Sequence, residues 1–89
     1  MKSVFTKEYE FLLEYLISAR KSADITQQDL AERLEKPQSF VSKYERRERR
    51  LDVIEFVSIA RTIGFDPCEV VREIEKHLQP RPKGKGASK

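Results

Sequence analysis

Four polar residues in a short stretch of the chain carry side chains suited to hydrogen bonding with the edges of nucleic-acid bases. They are Gln38, Ser39, Ser42 and Lys43. Their spacing places them together on one face of a helix. A glutamine amide bonds to two atoms of an adenine edge, a lysine ammonium reaches the acceptors of guanine, and serine is permissive. Val41 and Tyr44 fall on the opposite side, so the pattern predicts a helix held to an apolar core with its polar face outward.

The charges of the chain are unevenly distributed. Residues 80–89 contain four of the 18 basic residues and no acidic residue, and the other 14 basic residues are balanced by 15 acidic ones. Residues 43–50, KYERRERR, hold five basic residues and two acidic ones. A nearly neutral body with one basic segment indicates contact with a specific anionic partner. The alternative is a solvated helix surface on which arginine and glutamate side chains pair with each other.

The composition argues against several kinds of site. One cysteine, Cys68, and one histidine, His77, are too few for an intramolecular disulfide or a zinc site, and we expect no metal and no cofactor. No nucleophile–base pair or phosphate-binding loop supports an enzyme. The 89 residues contain no apolar run of membrane-spanning length and no signal peptide, so we expect a cytoplasmic protein without a membrane partner.

Apolar periodicity and capping residues predict an all-α fold, a five-helix bundle over residues 6–79. Thr26 and Asp52 have side chains able to cap the second and fourth helices, and Thr26 with Asp29 resembles a capping box. Gly64 fits a C-terminal cap. The fifth helix has Asp66 as its cap and Pro67 at its first position. The predicted helices cover residues 7–22, 27–34, 37–46, 53–63 and 67–78.

The sequence from residue 80 onward differs from the rest of the chain. It contains proline, glycine and basic residues and no apolar side chain larger than alanine. Such a segment cannot bury enough surface to offset the entropy lost on ordering, so residues 80–89 are predicted to be a disordered basic tail. The tail either adds contacts to phosphate groups or keeps the protein soluble.

Two short helices joined by a tight turn occupy residues 27–46, which is the geometry of a helix-turn-helix motif. The sequence ITQQDLAERLEKPQSFVSKYERRERRLDVIEFVSIARTIGFDP resembles the DNA-binding region of the XRE family, the Cro- and phage-repressor-like regulators. The resemblance spans about residues 12–74 and depends on the order and spacing of several short motifs. It implies a lambda-repressor-like fold that binds double-stranded DNA with the helix at about 37–46 in the major groove.

The resemblance also implies roles for individual residues. Gln27 matches a residue that contacts phosphate and braces the first base-reading side chain, and Arg20 and Glu45 match a partly buried ion pair. Gln28, at the start of a helix, adds an unpaired backbone N–H suited to phosphate. The positions that match base-reading residues are Gln38, Ser39, Ser42 and Lys43. The loop arginines that would face the DNA backbone are Arg46, Arg49 and Arg50.

Four positions depart from the family pattern. Glu35 and Arg47 stand where the pattern has glycine, Pro37 replaces a serine cap, and Leu51 replaces a proline at the end of the loop. A left-handed backbone at a non-glycine residue costs about 1 kcal/mol. A longer third helix is the alternative to such strain. These departures affect the expected loop geometry more than the expected function.

The fifth helix carries a stripe formed by Val70, Ile74 and Leu78. This stripe predicts a homodimer interface, and the alternative is that it packs in the core. The predicted function is a small dimeric transcriptional regulator that reads a DNA sequence and associates with the nucleoid when bound. We expect no small-molecule effector domain. An antitoxin-like or adaptor module that uses the same fold to bind a protein is the alternative function.

Overall fold

A computed structural model of the chain describes residues 6–78, and the predicted tail at residues 80–89 lies outside this range. The described part contains five α-helices and no strand, which confirms the predicted all-α class. The helix boundaries agree with the sequence patterns, except that α3 is one residue shorter at each end and α5 ends one residue earlier. The helices are α1 (Lys7–Ser22), α2 (Gln27–Leu34), α3 (Gln38–Glu45), α4 (Val53–Ile63) and α5 (Pro67–His77).

Side-chain caps determine where α2 and α4 begin. Thr26 Oγ1 accepts a hydrogen bond from the backbone N–H of Asp29 at 3.0 Å. The capping box expected there is only half formed, because the Asp29 carboxylate accepts from Arg33 at 3.1 Å instead. The complete box is at α4, where Asp52 accepts from the Glu55 N–H at 2.8 Å and Glu55 accepts from the Asp52 N–H at 2.9 Å. Because capping is local in sequence, these boundaries were predictable.

Two turns of the motif contain non-glycine residues in left-handed backbone. Glu35 ends α2 with φ 61°, and Arg47 follows α3 with φ 67°. These are the two positions where the family pattern has glycine. The structure therefore retains the short third helix and accepts local strain, instead of extending α3 through Arg47. Pro37 is the residue before α3, at the position of the serine cap that it replaces, and it provides no side-chain cap, so α3 begins one residue later than the predicted start at residue 37.

Glu35→Gly is expected to raise the free energy of unfolding by about 0.5–1 kcal/mol. Glycine adopts the left-handed conformation without a Cβ clash, and this gain exceeds the added entropy of the unfolded chain. Urea denaturation followed by circular dichroism measures the change. Glu32→Gly is the matched control, because Glu32 is also exposed but lies inside α2, where glycine costs about 1 kcal/mol relative to alanine. A destabilising effect of both substitutions would contradict the assignment of strain to Glu35.

One apolar core receives side chains from all five helices. Leu13 and Leu16 come from α1, Leu30 from α2, and Ile59 from α4, and all are fully buried. The side chains of α3 that join this core are Phe40, Val41 and Tyr44. Since α3 enters the core along one face only, its opposite face is left to solvent.

The apolar stripe predicted on α5 for dimerisation faces mainly toward the core of its own chain. Val70 is 0% exposed and belongs to the core, and Ile74 is partly buried against the same core. Only Leu78 is substantially exposed, at 51%. The reason is that α5 packs on α1 and α4 with this side, so its apolar periodicity reports the core. Its full burial excludes Val70 from an interface, so the core-packing alternative describes this residue, whereas half-buried Ile74 also packs against the core and its interface role stays a prediction.

Candidate nucleic-acid interface

The outer face of α3 presents three of the four predicted base-reading side chains to solvent. Gln38, Ser39 and Lys43 are exposed, whereas Ser42 is half-buried and its hydroxyl donates to the Ser39 carbonyl oxygen at 3.4 Å. Pro37 contributes no side-chain cap, so the first backbone N–H groups of α3 also point out of the helix end. The face therefore combines hydrogen-bonding side chains with a positive helix terminus.

The inner face of α3 is anchored by aromatic packing. The Phe40 and Tyr44 rings meet edge to face with their centroids 5.6 Å apart. Phe40 is buried but was absent from the predicted inward residues. The signal was available, because Phe40 precedes Tyr44 by four residues and such pairs share a helix face. Burial raises the pKa of the Tyr44 phenol well above its ordinary value, and among residues 6–78 its hydroxyl has no hydrogen-bond partner.

A buried ionic network joins the start of the motif to the end of α3. Arg20 Nε donates to Glu45 Oε2 at 2.7 Å and Arg20 Nη2 donates to Glu45 Oε1 at 3.0 Å. Arg20 Nη1 donates to the Ile25 carbonyl at 2.9 Å. Gln27 Nε2 completes the network by donating to Glu45 Oε1 at 2.8 Å. Arg20 and Glu45 therefore form the ion pair expected for them, and Gln27 braces the carboxylate at the end of α3.

The loop arginines already have protein partners. Arg46 forms two hydrogen bonds with Glu48, of 3.0 and 3.2 Å, in an exposed pair. The Arg50 guanidinium lies 4.5 Å from the centre of the Tyr9 ring. Arg49 is the most constrained of the three predicted phosphate-contacting arginines. It is half-buried, and its guanidinium donates to both oxygens of the Glu55 carboxylate. The alternative that residues 43–50 form a solvated surface helix is wrong, since α3 ends at Glu45. The pairing of arginine with glutamate that this alternative expected is observed.

The comparison with known families decides the assignment. A sequence model of the helix-turn-helix family matches residues 16–70, which is more than half of the chain. The chain belongs to the XRE-type helix-turn-helix family. A solved structure of an XRE-family like protein from Pseudomonas syringae pv. tomato str. DC3000 is similar to it, with 51% sequence identity and a TM-score of 0.77. The similarity covers 82% of this chain and 91% of that one. No curated protein matches the chain.

The XRE-type fold is that of a DNA-binding regulator, and the outer face of α3 is therefore a candidate DNA-binding surface. In a helix-turn-helix motif the second helix enters the major groove, and here that helix is α3. Within residues 6–78 no helix is long and apolar enough to cross a membrane. The same range contains no group of three or more side chains arranged to hold a metal ion.

Lys36 is an additional cation of this XRE-type surface that the sequence pattern did not single out. Its ammonium lies 5.4 Å from the centre of the Phe40 ring. Together with Ser39, Lys43 and Arg49 it lines an open cavity of about 390 Å³ beside the start of α3. The only signal in the sequence was its place next to Pro37, in the turn before the third helix.

Hydrogen bonding within the loop shifts the pKa values of the paired groups. The Arg49 guanidinium lowers the pKa of the Glu55 carboxyl chiefly through its hydrogen bonds, and Glu55 in turn raises the pKa of Arg49. Arg46 and Glu48 shift each other in the same directions and for the same reason. Both pairs are therefore ionised at neutral pH, and a DNA phosphate that approaches either arginine must compete with a carboxylate.

Proposed function

We propose that the protein is a sequence-specific double-stranded-DNA-binding regulator of transcription that acts as a homodimer. The observation that carries this proposal is the two-sided structure of α3. Its inner face is fixed by Phe40, Tyr44 and the buried Arg20–Glu45 pair, while Gln38 and Lys43 project from the outer face. A rigid helix with exposed hydrogen-bonding side chains is what reading base edges requires. Such a regulator would act in the cytoplasm, on the nucleoid.

Phosphate contacts would come from groups around α3 that can exchange their present partners. Arg46 is suited to this role because its pair with Glu48 is exposed, and exposed pairs contribute little to stability. Arg50 and Gln28 are also exposed, and Lys36 lines the cavity beside α3. These groups would fix the position of the protein on the duplex, and the base-reading side chains would supply the sequence preference.

Selection of bound duplexes from a randomised DNA pool, followed by sequencing, tests the proposal. The selection is run at about 150 mM salt, because phosphate contacts alone retain DNA at low ionic strength. We expect enrichment of an inverted repeat whose half-sites are separated by about one helical turn, roughly 10 bp, or a multiple of it. Binding without enrichment that disappears as the salt concentration rises would contradict sequence reading. It would favour the antitoxin-like or adaptor alternative.

Gln38→Ala is expected to reduce discrimination at one base position in each half-site by roughly 5- to 100-fold, the loss of one two-point contact worth about 1–3 kcal/mol. Competition binding between the selected duplex and duplexes altered at single positions measures this effect. Gln28→Ala is the matched control, because it removes an exposed glutamine from the start of the preceding helix. The control should weaken binding to all duplexes equally. An unchanged base preference in Gln38→Ala would show that Gln38 does not read a base.

The dimer interface that we propose is an apolar groove between the first turns of α4 and α5. The groove has a volume of about 420 Å³, and its lining includes Phe56, Val57 and Pro67. Two rim residues are strongly exposed, Val53 at 71% and Val71 at 54%. An exposed apolar surface of this kind is typical of an association site.

A second copy of the chain is the occupant that we propose for this groove. Val53 follows the loop of Arg46 to Arg50 after only two residues, so the groove adjoins the side of the molecule that would face DNA. A two-fold axis through the groove brings the same patch of both copies together. Reading two half-sites requires in addition that this axis place both α3 helices on one side of the dimer.

A further inference from the structure

The contact between α3 and α4 contains a gap. A cavity of about 150 Å³ lies where the two helices meet α2, and its lining includes Leu34 from α2, Phe40 from α3, and Ile54, Glu55 and Ile59 from α4. The main packing partner of α3 is α2. Because α3 packs mainly on α2, a side chain that joins α3 directly to α4 adds a separate constraint on the relative orientation of these two helices.

Arg49 does not line this cavity, but it joins residues on both sides of it through three kinds of contact. Its guanidinium lies 4.7 Å from the centre of the Phe40 ring, which is the cation–π distance. Arg49 Nη1 and Nη2 donate to the two carboxylate oxygens of Glu55 at 3.0 and 2.8 Å. Nη1 also donates to the Arg50 carbonyl oxygen at 2.9 Å. The guanidinium thus connects a core residue of α3, the loop and the first turn of α4.

Glu55 is fixed on its own side of this arrangement. Its Oε1 accepts a hydrogen bond from the backbone N–H of Asp52 in the capping box of α4, so the capping box orients the carboxylate independently of Arg49. A planar guanidinium that meets a pre-oriented carboxylate at two points has little freedom to rotate. These contacts occupy three of the five N–H donors of the Arg49 guanidinium, including both of those on Nη1.

We propose that Arg49 and Glu55 are positioning residues that set the orientation of α3, and that Arg49 is not a phosphate contact. This inference rests on the proposed function and is an alternative to the phosphate-contacting role predicted for Arg49 from the sequence. Its consequence is specific: the Glu55 carboxylate, although negative and close to the DNA-facing loop, supports sequence-specific binding. Simple charge repulsion between Glu55 and phosphate predicts instead that this carboxylate weakens binding to DNA.

Glu55→Gln tests directly whether the carboxylate strengthens or weakens sequence-specific binding. Glutamine at this position keeps an oxygen for the capping box but loses the two-point ionic contact. We expect affinity for the selected duplex to fall by about 5- to 20-fold, as for the loss of a charge-assisted contact, while affinity for unrelated DNA is unchanged or slightly higher. The matched control is Glu48→Gln, which removes the same charge from the loop that precedes α4 and releases Arg46. It should bind all DNA slightly more tightly.

Arg49→Lys is the second variant, because it keeps the positive charge but lacks the planar two-point geometry. We expect the same loss of specific affinity with an unchanged dependence of log affinity on log salt concentration. A true phosphate contact would behave differently. Arg49→Ala would lower the magnitude of the salt slope by about 0.9, and Arg49→Lys would bind nearly as the wild type does. Tighter binding by Glu55→Gln, or wild-type binding by Arg49→Lys, would overturn the proposal.

Amide hydrogen exchange of the free protein separates this proposal from the proposed function. In Glu55→Gln, exchange in α3 should accelerate several-fold more than exchange in α1, because α3 loses its link to α4. This readout needs no DNA, so it remains informative if the wild type shows no sequence preference. Equal protection of α3 in the wild type and the variant would overturn the positioning role even if the protein reads DNA. Thermal unfolding of each variant confirms that binding is measured on folded protein.

Discussion

Arg20→Ala is expected to lower the free energy of unfolding by about 3–5 kcal/mol, a large part of the total stability of so small a domain. The substitution leaves the Glu45 carboxylate buried with only the Gln27 amide as a donor. It also removes the hydrogen bond to the Ile25 carbonyl. Urea denaturation at neutral pH measures the loss.

The matched control for this prediction is Arg33→Ala, which breaks an exposed ion pair with Asp29 within α2. We expect a change of about 0.5 kcal/mol or less, because exposed pairs contribute little. The double variant Arg20→Met/Glu45→Leu should recover most of the stability lost in Arg20→Ala, since it leaves no uncompensated buried charge. If Arg20→Ala were no more destabilising than Arg33→Ala, the network could not be what anchors the end of α3.

The role of the ionic network explains why a polar group is retained at this buried position. Arg20 lies in the last turn of α1, Gln27 begins α2 and Glu45 ends α3, so one carboxylate joins three helices at a single point. Apolar side chains would supply comparable stability without fixing direction. A helix that reads base edges must be held to within a fraction of an ångström, which directional hydrogen bonds achieve.

The features that could be predicted from the sequence are those that depend on neighbouring residues. Helix starts follow from Thr26, Asp52 and Asp66, because a cap bonds to a backbone group only two or three residues away. The end of α4 follows from Gly64, whose φ of 105° suits glycine. The outward face of α3 follows from its spacing. In each case the physical cause lies within one turn of the residue concerned.

The features that could not be predicted depend on residues far apart in the chain. Periodicity showed that Val70 and Ile74 share a face, but not whether that face meets the core or a second copy. Composition showed that Arg49 is basic, but not that Glu55 and Phe40 would occupy its guanidinium. A charge pattern reports the number of ions and not their partners.

Val71→Glu is expected to convert the homodimer that we propose into a monomer. A carboxylate at the rim of the α4–α5 groove would be buried without a partner when two copies associate, and burial of an unpaired charge is strongly unfavourable. Sedimentation velocity measures the mass of the free protein. Affinity for a duplex with both half-sites should fall about 10²-fold, because the two DNA-binding domains are no longer linked. Affinity for a single half-site should change little.

Leu78→Glu is the matched control for Val71→Glu, because Leu78 is exposed to nearly the same extent, 51% against 54%, and also belongs to the α5 region. It lies outside the groove and on the stripe first predicted from the sequence. Both substitutions change the net charge equally, so a difference between them cannot come from general repulsion of DNA. We expect Leu78→Glu to remain dimeric. Dissociation of Leu78→Glu with an intact dimer in Val71→Glu would place the interface at the end of α5, and a monomeric wild type would contradict both locations.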